Sequence, residues 1–200
     1  MTGREELSFY ITPYDRARAV EYARRWARSR NPLFDDFTGG GGDCTNFVSQ
    51  AVFAGCCQMN FTDTFGWYFR SVDDRAPAWT GVKPFFDFFT GSGDFAPVTM
   101  RVGPFGYATE RDYVSEGDVV QLQNADGRFY HTLMVTGIDG DELLVSAHSN
   151  DALDRPLSSY TQAVAARFIR IIGVVRRADG TPTLDCFERL MEGAPEITEE

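Results

Sequence analysis

Gly39-Gly40-Gly41-Gly42-Asp43-Cys44-Thr45-Asn46-Phe47-Val48-Ser49-Gln50 joins a glycine lead-in to an apolar-periodic segment. Asp43 is a favoured N-cap type, and Phe47, Val48, Ala51 and Val52 recur at helical spacing until Gly55 stops the pattern. The reading is a buried helix with Cys44 on its first turn. Unpaired backbone N–H groups and the helix dipole favour negative charge there, which predicts a lowered thiol pKa. A thiolate beside a glycine loop that lets substrate approach is the arrangement a cysteine nucleophile needs. Taken alone, such a cysteine reads more readily as a packing residue; its companions change that reading.

Around this segment the chain divides in character. Tyr14 to Arg30 predicts a helix with an apolar stripe of Ala19, Val20, Ala23, Trp26 and Ala27, ended by Asn31-Pro32. Trp79 to Phe89 predicts another, with Val82, Phe85, Phe86 and Phe89 as its buried side. After about residue 94, Val119–Gln123, His131–Ile138, Glu142–His148 and Phe168–Arg176 read as strands separated by turn signals. Helices followed by strands predict an α+β fold with a mostly antiparallel sheet. Thr181 to Glu192 reads as a short helix and the acidic end, Glu196 to Glu200, as frayed. The 200 residues form one expected domain, with a core over 14–176 and the C-terminal helix and tail over 177–200.

With a formal net charge of −10 and a pI near 4.7, a nucleic-acid partner is not expected. Arg24, Arg25, Arg28 and Arg30 read as the solvated face of a helix. The four cysteines, Cys44, Cys56, Cys57 and Cys186, match neither a zinc-finger spacing nor a disulfide scaffold, and packing is the expected role of Cys56 and Cys57. No apolar stretch long enough to span a bilayer is present. Met1 to Tyr10 lacks the features of a signal peptide, so the sequence as written predicts a cytoplasmic protein, or a secreted one if a leader has been removed.

The chain has two histidines, His131 and His148. Asp139-Gly140 is a two-residue hairpin signal. If those residues form the loop, Ile138 pairs with Asp141, and counting outwards sets His131 opposite His148 on one face, with Cβ atoms about 5 Å apart. Only an odd change in register would separate them. On this count His131 accepts the Cys44 proton while His148 orients it and stabilises the imidazolium. One Cys and two His are also a competent zinc set with a position left for water, though no local ligand pair supports it.

The run Asp43-Cys44-Thr45-Asn46-Phe47, then Gly117-Asp118-Val119-Val120, the strand opening at His131, and Ala147-His148 resemble, in this order, the putative bacterial amidase domain family. Trp79-Thr80-Gly81-Val82 and Val145 to Asn150 are similar as well, so the resemblance spans roughly Tyr14 to Val175. That family is in turn similar to NlpC-type cell-wall peptidases and CHAP amidases, which implies a papain-like core. The resemblance implies Cys44 as nucleophile, His131 as base and a polar orienting residue on the next strand, where His148 stands, or Asn150 if the hairpin slips by two. Thr132 after the histidine, and Cys56-Cys57 where glycines are common, are departures.

The expected chemistry is attack of Cys44 on an amide carbonyl, a thioester, and release by water activated at His131. The Cys44 N–H is a natural oxyanion donor, with Asp43 and Asn46 as candidates for the second. Trp67, Trp79 and Tyr130 are candidates to floor a pocket. No cofactor, metal or membrane partner is expected; the substrate is a peptide or small amide, with cell-wall peptides the first choice. Acyl transfer through the same thioester, a Cys/His/His zinc hydrolase, and a binding domain without catalysis are the alternatives.

Overall fold

The computed structural model describes residues 8–92, 102–178 and 185–194. A short strand β1 (Phe9–Pro13) leads into helix α1 (Arg16–Trp26), whose N-cap Asp15 accepts the Arg18 N–H at 3.1 Å. Helix α2 (Cys44–Cys56) follows and begins at the cysteine, as the periodicity predicts. Every residue of α2 except Phe53 is buried, so it is the central rod of the molecule. Gly55 does not end it. A Cβ at Gly55 would stand 2.5 Å from the Tyr14 ring and 2.6 Å from the Asp15 carbonyl, so glycine here permits the close approach of the chain entering α1. That approach is sealed by the Asp15 N–H donating to the Gly55 carbonyl at 2.9 Å. The helix stops at Cys57, which turns left-handed at φ 47° and returns its N–H to Phe53.

The expected third helix is two: α3 (Pro77–Thr80) and α4 (Val82–Thr90), separated by Gly81 in extended conformation. The remaining chain forms β2 (Gly103–Thr109), β3 (Val119–Gln123), β4 (Phe129–Asp139), β5 (Glu142–Ala147), β6 (Ala152–Pro156), β7 (Ala165–Arg177) and helix α5 (Phe187–Glu192). These strands make one seven-stranded sheet in the order β1-β7-β3-β4-β5-β6, with β2 also on β7, and every pairing is antiparallel. The fold is therefore α+β with few helices. Part of the expected Thr181–Glu192 helix and all of Glu196–Glu200 lie outside the described residues.

The sheet packs two apolar clusters. One lies under the helices and gathers Phe47, Val48, Val52, Trp67, Trp79, Phe85, Phe89, Met134 and Ile169. The other lies on the opposite side, with Val120, Leu122, Leu133, Val135, Val145 and Leu157. Along β4, Met134 thus faces the helices and Leu133 and Val135 face away, as a strand requires. Gly117-Asp118 serves the frame: Asp118 is fully buried and accepts from Arg16 Nη1 at 2.6 Å, the Ile171 N–H at 3.0 Å and the Ser115 N–H at 2.9 Å. One carboxylate so ties α1, β3 and β7 together.

Cys57 corrects the packing expectation. It forms a disulfide with Cys186, 129 residues away, with Cα atoms 5.4 Å apart, and pins the end of α2 beside the start of α5. Spacing alone does not identify partners that far apart. Cys44 and Cys56 are free and buried.

Replacing Gly55 by Ala forces Tyr14 and the α1 entry aside. The expected outcome is a loss of about 1–3 kcal/mol in denaturant unfolding, the usual cost of overpacking a filled core.

Candidate active site

The start of α2 is held from below by a buried pair, Asp43 and His148. Asp43 accepts the first helical bond, from the Phe47 N–H at 2.9 Å, but its side chain does not cap the helix. Instead the carboxylate receives the Phe37 N–H at 3.0 Å, Asn46 Nδ2 at 2.7 Å and His148 Nδ1 at 2.5 Å, with Arg30 Nε 3.6 Å away. The other ring nitrogen of His148 meets the Trp26 carbonyl at 2.9 Å. Both ring nitrogens of His148 thus face acceptor atoms, the Asp43 carboxylate and the Trp26 carbonyl. Phe47 stacks on the ring with centroids 4.1 Å apart. Asp43 and His148 therefore lock the helix start to the end of β5 and the end of α1.

This arrangement removes His148 from the role expected of it. The β4–β5 ladder begins at Asp139–Glu142 rather than Ile138–Asp141, and a bulge between Val135 and Gly137 shifts it again to Met134–Ser146. The net change in register is odd, which turns the two histidines to opposite faces. His148 goes to the helix side; His131 shares the parity of Leu133 and Val135 and lies 6.0 Å, centroid to centroid, from Tyr160 on the far side. With both nitrogens of His148 committed to Asp43 and Trp26, the Cys/His/His set for zinc is not brought together. Among the described residues no group of three metal-binding side chains is present.

Cys44 and His131 line one cavity of about 430 Å³, whose other walls include Gly41 and Gly42, Tyr130, Asn150, Arg155 and Tyr160. The glycine loop turns through positive φ at both Gly41 (119°) and Gly42 (104°), which brings bare backbone to the cysteine. Ser149 and Asn150 also take positive φ, at 61° and 83°; Ser149 Oγ accepts the Asp43 N–H at 2.8 Å while Asn150 faces the cavity. Asn150 is thus the expected support residue that reaches the cavity. Asp43 and Asn46 do not: Asn46 spends its amide on Asp43, the Asp35 carbonyl at 2.9 Å and the Trp79 indole at 2.8 Å, all beneath the helix. Trp67 and Trp79 are core, and of the three aromatics expected near a pocket Tyr130 lines it.

The titration behaviour also departs from expectation. Burial pushes the Cys44 thiol up, although the Thr132 and Thr45 N–H groups and the Thr45 hydroxyl (Oγ1 3.8 Å from Sγ) favour the thiolate, and the Asp43 carboxylate next door opposes it. The lowering expected from the helix start is outweighed by desolvation. Burial, assisted by the Arg155 charge, brings His131 down to about 4. At neutral pH the cavity thus holds a neutral thiol and a neutral imidazole, and no hydrogen bond links Sγ to the ring.

A family profile described as "Putative amidase domain" matches residues 13–171. The chain is 29% identical over 168 residues to the uncharacterized protein YhbB of Bacillus subtilis (strain 168), covering 80% of this chain and 50% of that protein. It is 30% identical over 157 residues to the uncharacterized protein YjcM of the same organism, covering 73% of this chain and 33% of the relative. The chain spans half or less of the length of these relatives. No solved structure matches it.

Two outcomes follow from the buried groups. Asp43→Ala leaves the buried His148 ring, the Asn46 amide and the Phe37 N–H without their shared acceptor, and thermal unfolding is expected to show a loss of about 1–3 kcal/mol or more, the cost of buried polar groups left unsatisfied. His131 binds a proton less readily folded than unfolded, with values of about 4 against 6.5. The unfolded chain then holds more protons across that window, so stability drops as pH falls from 6.5 towards 4. In His131→Gln, denaturant titrations at successive pH values should show a flatter slope in the same window.

Proposed function

Because the chain belongs to the family described as the putative amidase domain, we propose that it hydrolyses an amide bond through Cys44. The observation that carries this reading is the shared cavity: a helix-start cysteine and the His131 imidazole open onto the same space. Cys44 is the nucleophile and His131 the base. As Sγ bonds to the carbonyl carbon, the thiol proton passes to the His131 ring; as the C–N bond breaks, that proton goes to the leaving nitrogen. Water then adds to the thioester with His131 again taking a proton, the C–S bond breaks, and the acid and free thiol are released.

The neutral pair suits this sequence of transfers. An imidazole near 4 is unprotonated at pH 7 and free to accept, and in unliganded sites such hydrogen bonds commonly tighten only once substrate is bound. The Cys44 N–H at the helix start is the proposed oxyanion donor. Asn150, facing the same cavity, is a better candidate than His148 for the polar residue that orients His131. A papain-like relationship to NlpC and CHAP enzymes is supported by the chain order of a helix-borne cysteine followed by antiparallel strands, one carrying the histidine. Cell-wall peptides remain the first substrate class to try. The Cys57–Cys186 disulfide supports work in an oxidising compartment, where such bonds persist.

Amide and peptide substrates, cell-wall fragments among them, are to be assayed with and without hydroxylamine. Turnover with hydroxamate formation is expected, absent in Cys44→Ala and reduced roughly 10²-fold or more in His131→Gln. Hydrolysis that survives in Cys44→Ala would overturn the proposal.

A further inference from the structure

The wall of the cavity opposite the glycine loop is built around an arginine with no acidic partner. Arg155 stands on β6, paired across to Val145 on β5. Its Nε donates to Ser159 Oγ at 2.7 Å and Nη2 to the Ser159 carbonyl at 3.3 Å, and the guanidinium lies 4.3 Å over the Tyr160 ring. These contacts fix the plane of the group. Among the described residues no carboxylate pairs with it. The contrast is local: Arg24 in the same region is matched by Asp154, Arg30 by Asp151, and Arg111 lies beside Glu142.

The charge of the cavity points the same way. The chain carries 29 acidic residues against 19 basic ones, yet among the described residues that line this cavity none is Asp or Glu. With His131 neutral, Arg155 is the one charged side chain among those described residues. Tyr160 adds a buried hydroxyl without a hydrogen-bond partner among the described residues. A half-buried, pre-oriented guanidinium of this kind matches a planar carboxylate better than any other common group.

We propose that the Cys44 cavity takes substrates bearing a carboxylate near the scissile amide, and that Arg155 is the side chain that binds it. This rests on Cys44 being the reactive thiol of the site. Holding the carboxylate there orients the amide towards the sulfur. It also offsets the positive charge that Arg155 presents to His131, so the base strengthens when the correct substrate is in place.

The test uses two alkylating agents of nearly one shape and different charge, iodoacetate and neutral iodoacetamide. Rates at Cys44 are to be read by peptide mass mapping at mildly alkaline pH, each divided by its rate with free cysteine. The iodoacetate-to-iodoacetamide ratio at Cys44 is expected about tenfold above that of the free thiol, as attraction to a half-buried charge gives. It should fall to the free-thiol value in Arg155→Gln, stay partly raised in Arg155→Lys, and shrink with added salt. The iodoacetamide rate itself reports whether each variant keeps the site intact. An unraised ratio in the unsubstituted protein, or a raised one that persists in Arg155→Gln, overturns the carboxylate site while leaving the cysteine mechanism standing. Failure of both agents to modify Cys44 overturns the cysteine reading, and the carboxylate site with it.

Discussion

The contact between Asp43 and His148 is what the arrangement of the site depends on. A carboxylate and an imidazole, both withdrawn from water, face each other at 2.5 Å directly beneath the first turn of α2. Burial makes such a pair costly to leave half made, so its geometry is held tightly. Each partner reaches a different part of the fold: Asp43 the loop before α2 and Asn46, His148 the end of β5, Trp26 and the face of Phe47. Cys44, one residue from Asp43, inherits its position from this pair. A histidine that could have been a catalytic group is instead a strut.

That use of His148 leaves Cys44 and His131 as the cysteine and the imidazole of a cavity whose remaining walls come mainly from loops and from β6. In the proposed mechanism rigid parts carry the reacting atoms: Cys44 on the buried helix α2, His131 on strand β4 inside the sheet. The glycine loop, the strained Ser149-Asn150 pair and the turn carrying Ser159 and Tyr160 shape what enters. Among the described residues those walls carry no acidic group, and in so acidic a chain this is the clearest electrostatic feature of the cavity. It separates the surface, which is free to carry negative charge, from a site that does not.

Burial shifts the Cys44 thiol and the His131 imidazole in opposite directions. Desolvation disfavours the charged form of each, raising the thiol and lowering the imidazole, so the uncharged pair is the resting state. A helix start favours the thiolate, but its influence is modest beside the cost of taking a sulfur anion out of water. In the proposed mechanism, proton transfer is therefore coupled to substrate binding, when the cavity fills and the field around His131 changes.

The helix opening at Cys44, β3 over Val119–Gln123, and the Glu142 start of β5 were legible from residue order, because apolar periodicity and turn chemistry are local properties. So were the cysteine and histidine that share the cavity. β1, β2 and β6 were not, since Gly103–Thr109 carries glycines where alternation is looked for and Ala152–Pro156 is too short to show a pattern. The hairpin count failed through one bulge near Thr136, which no local residue signalled and which reversed the face of His148. The Cys57–Cys186 bond shares that fate because its ends lie 129 residues apart, and Arg155 and Tyr160 acquire meaning only from the distant segments that line the same cavity. Sequence by itself determined which segments would fold and which reactive side chains they carry. Tertiary structure alone decided which of those side chains face one another, because register, burial and the pairing of charge are properties of the assembled sheet and core.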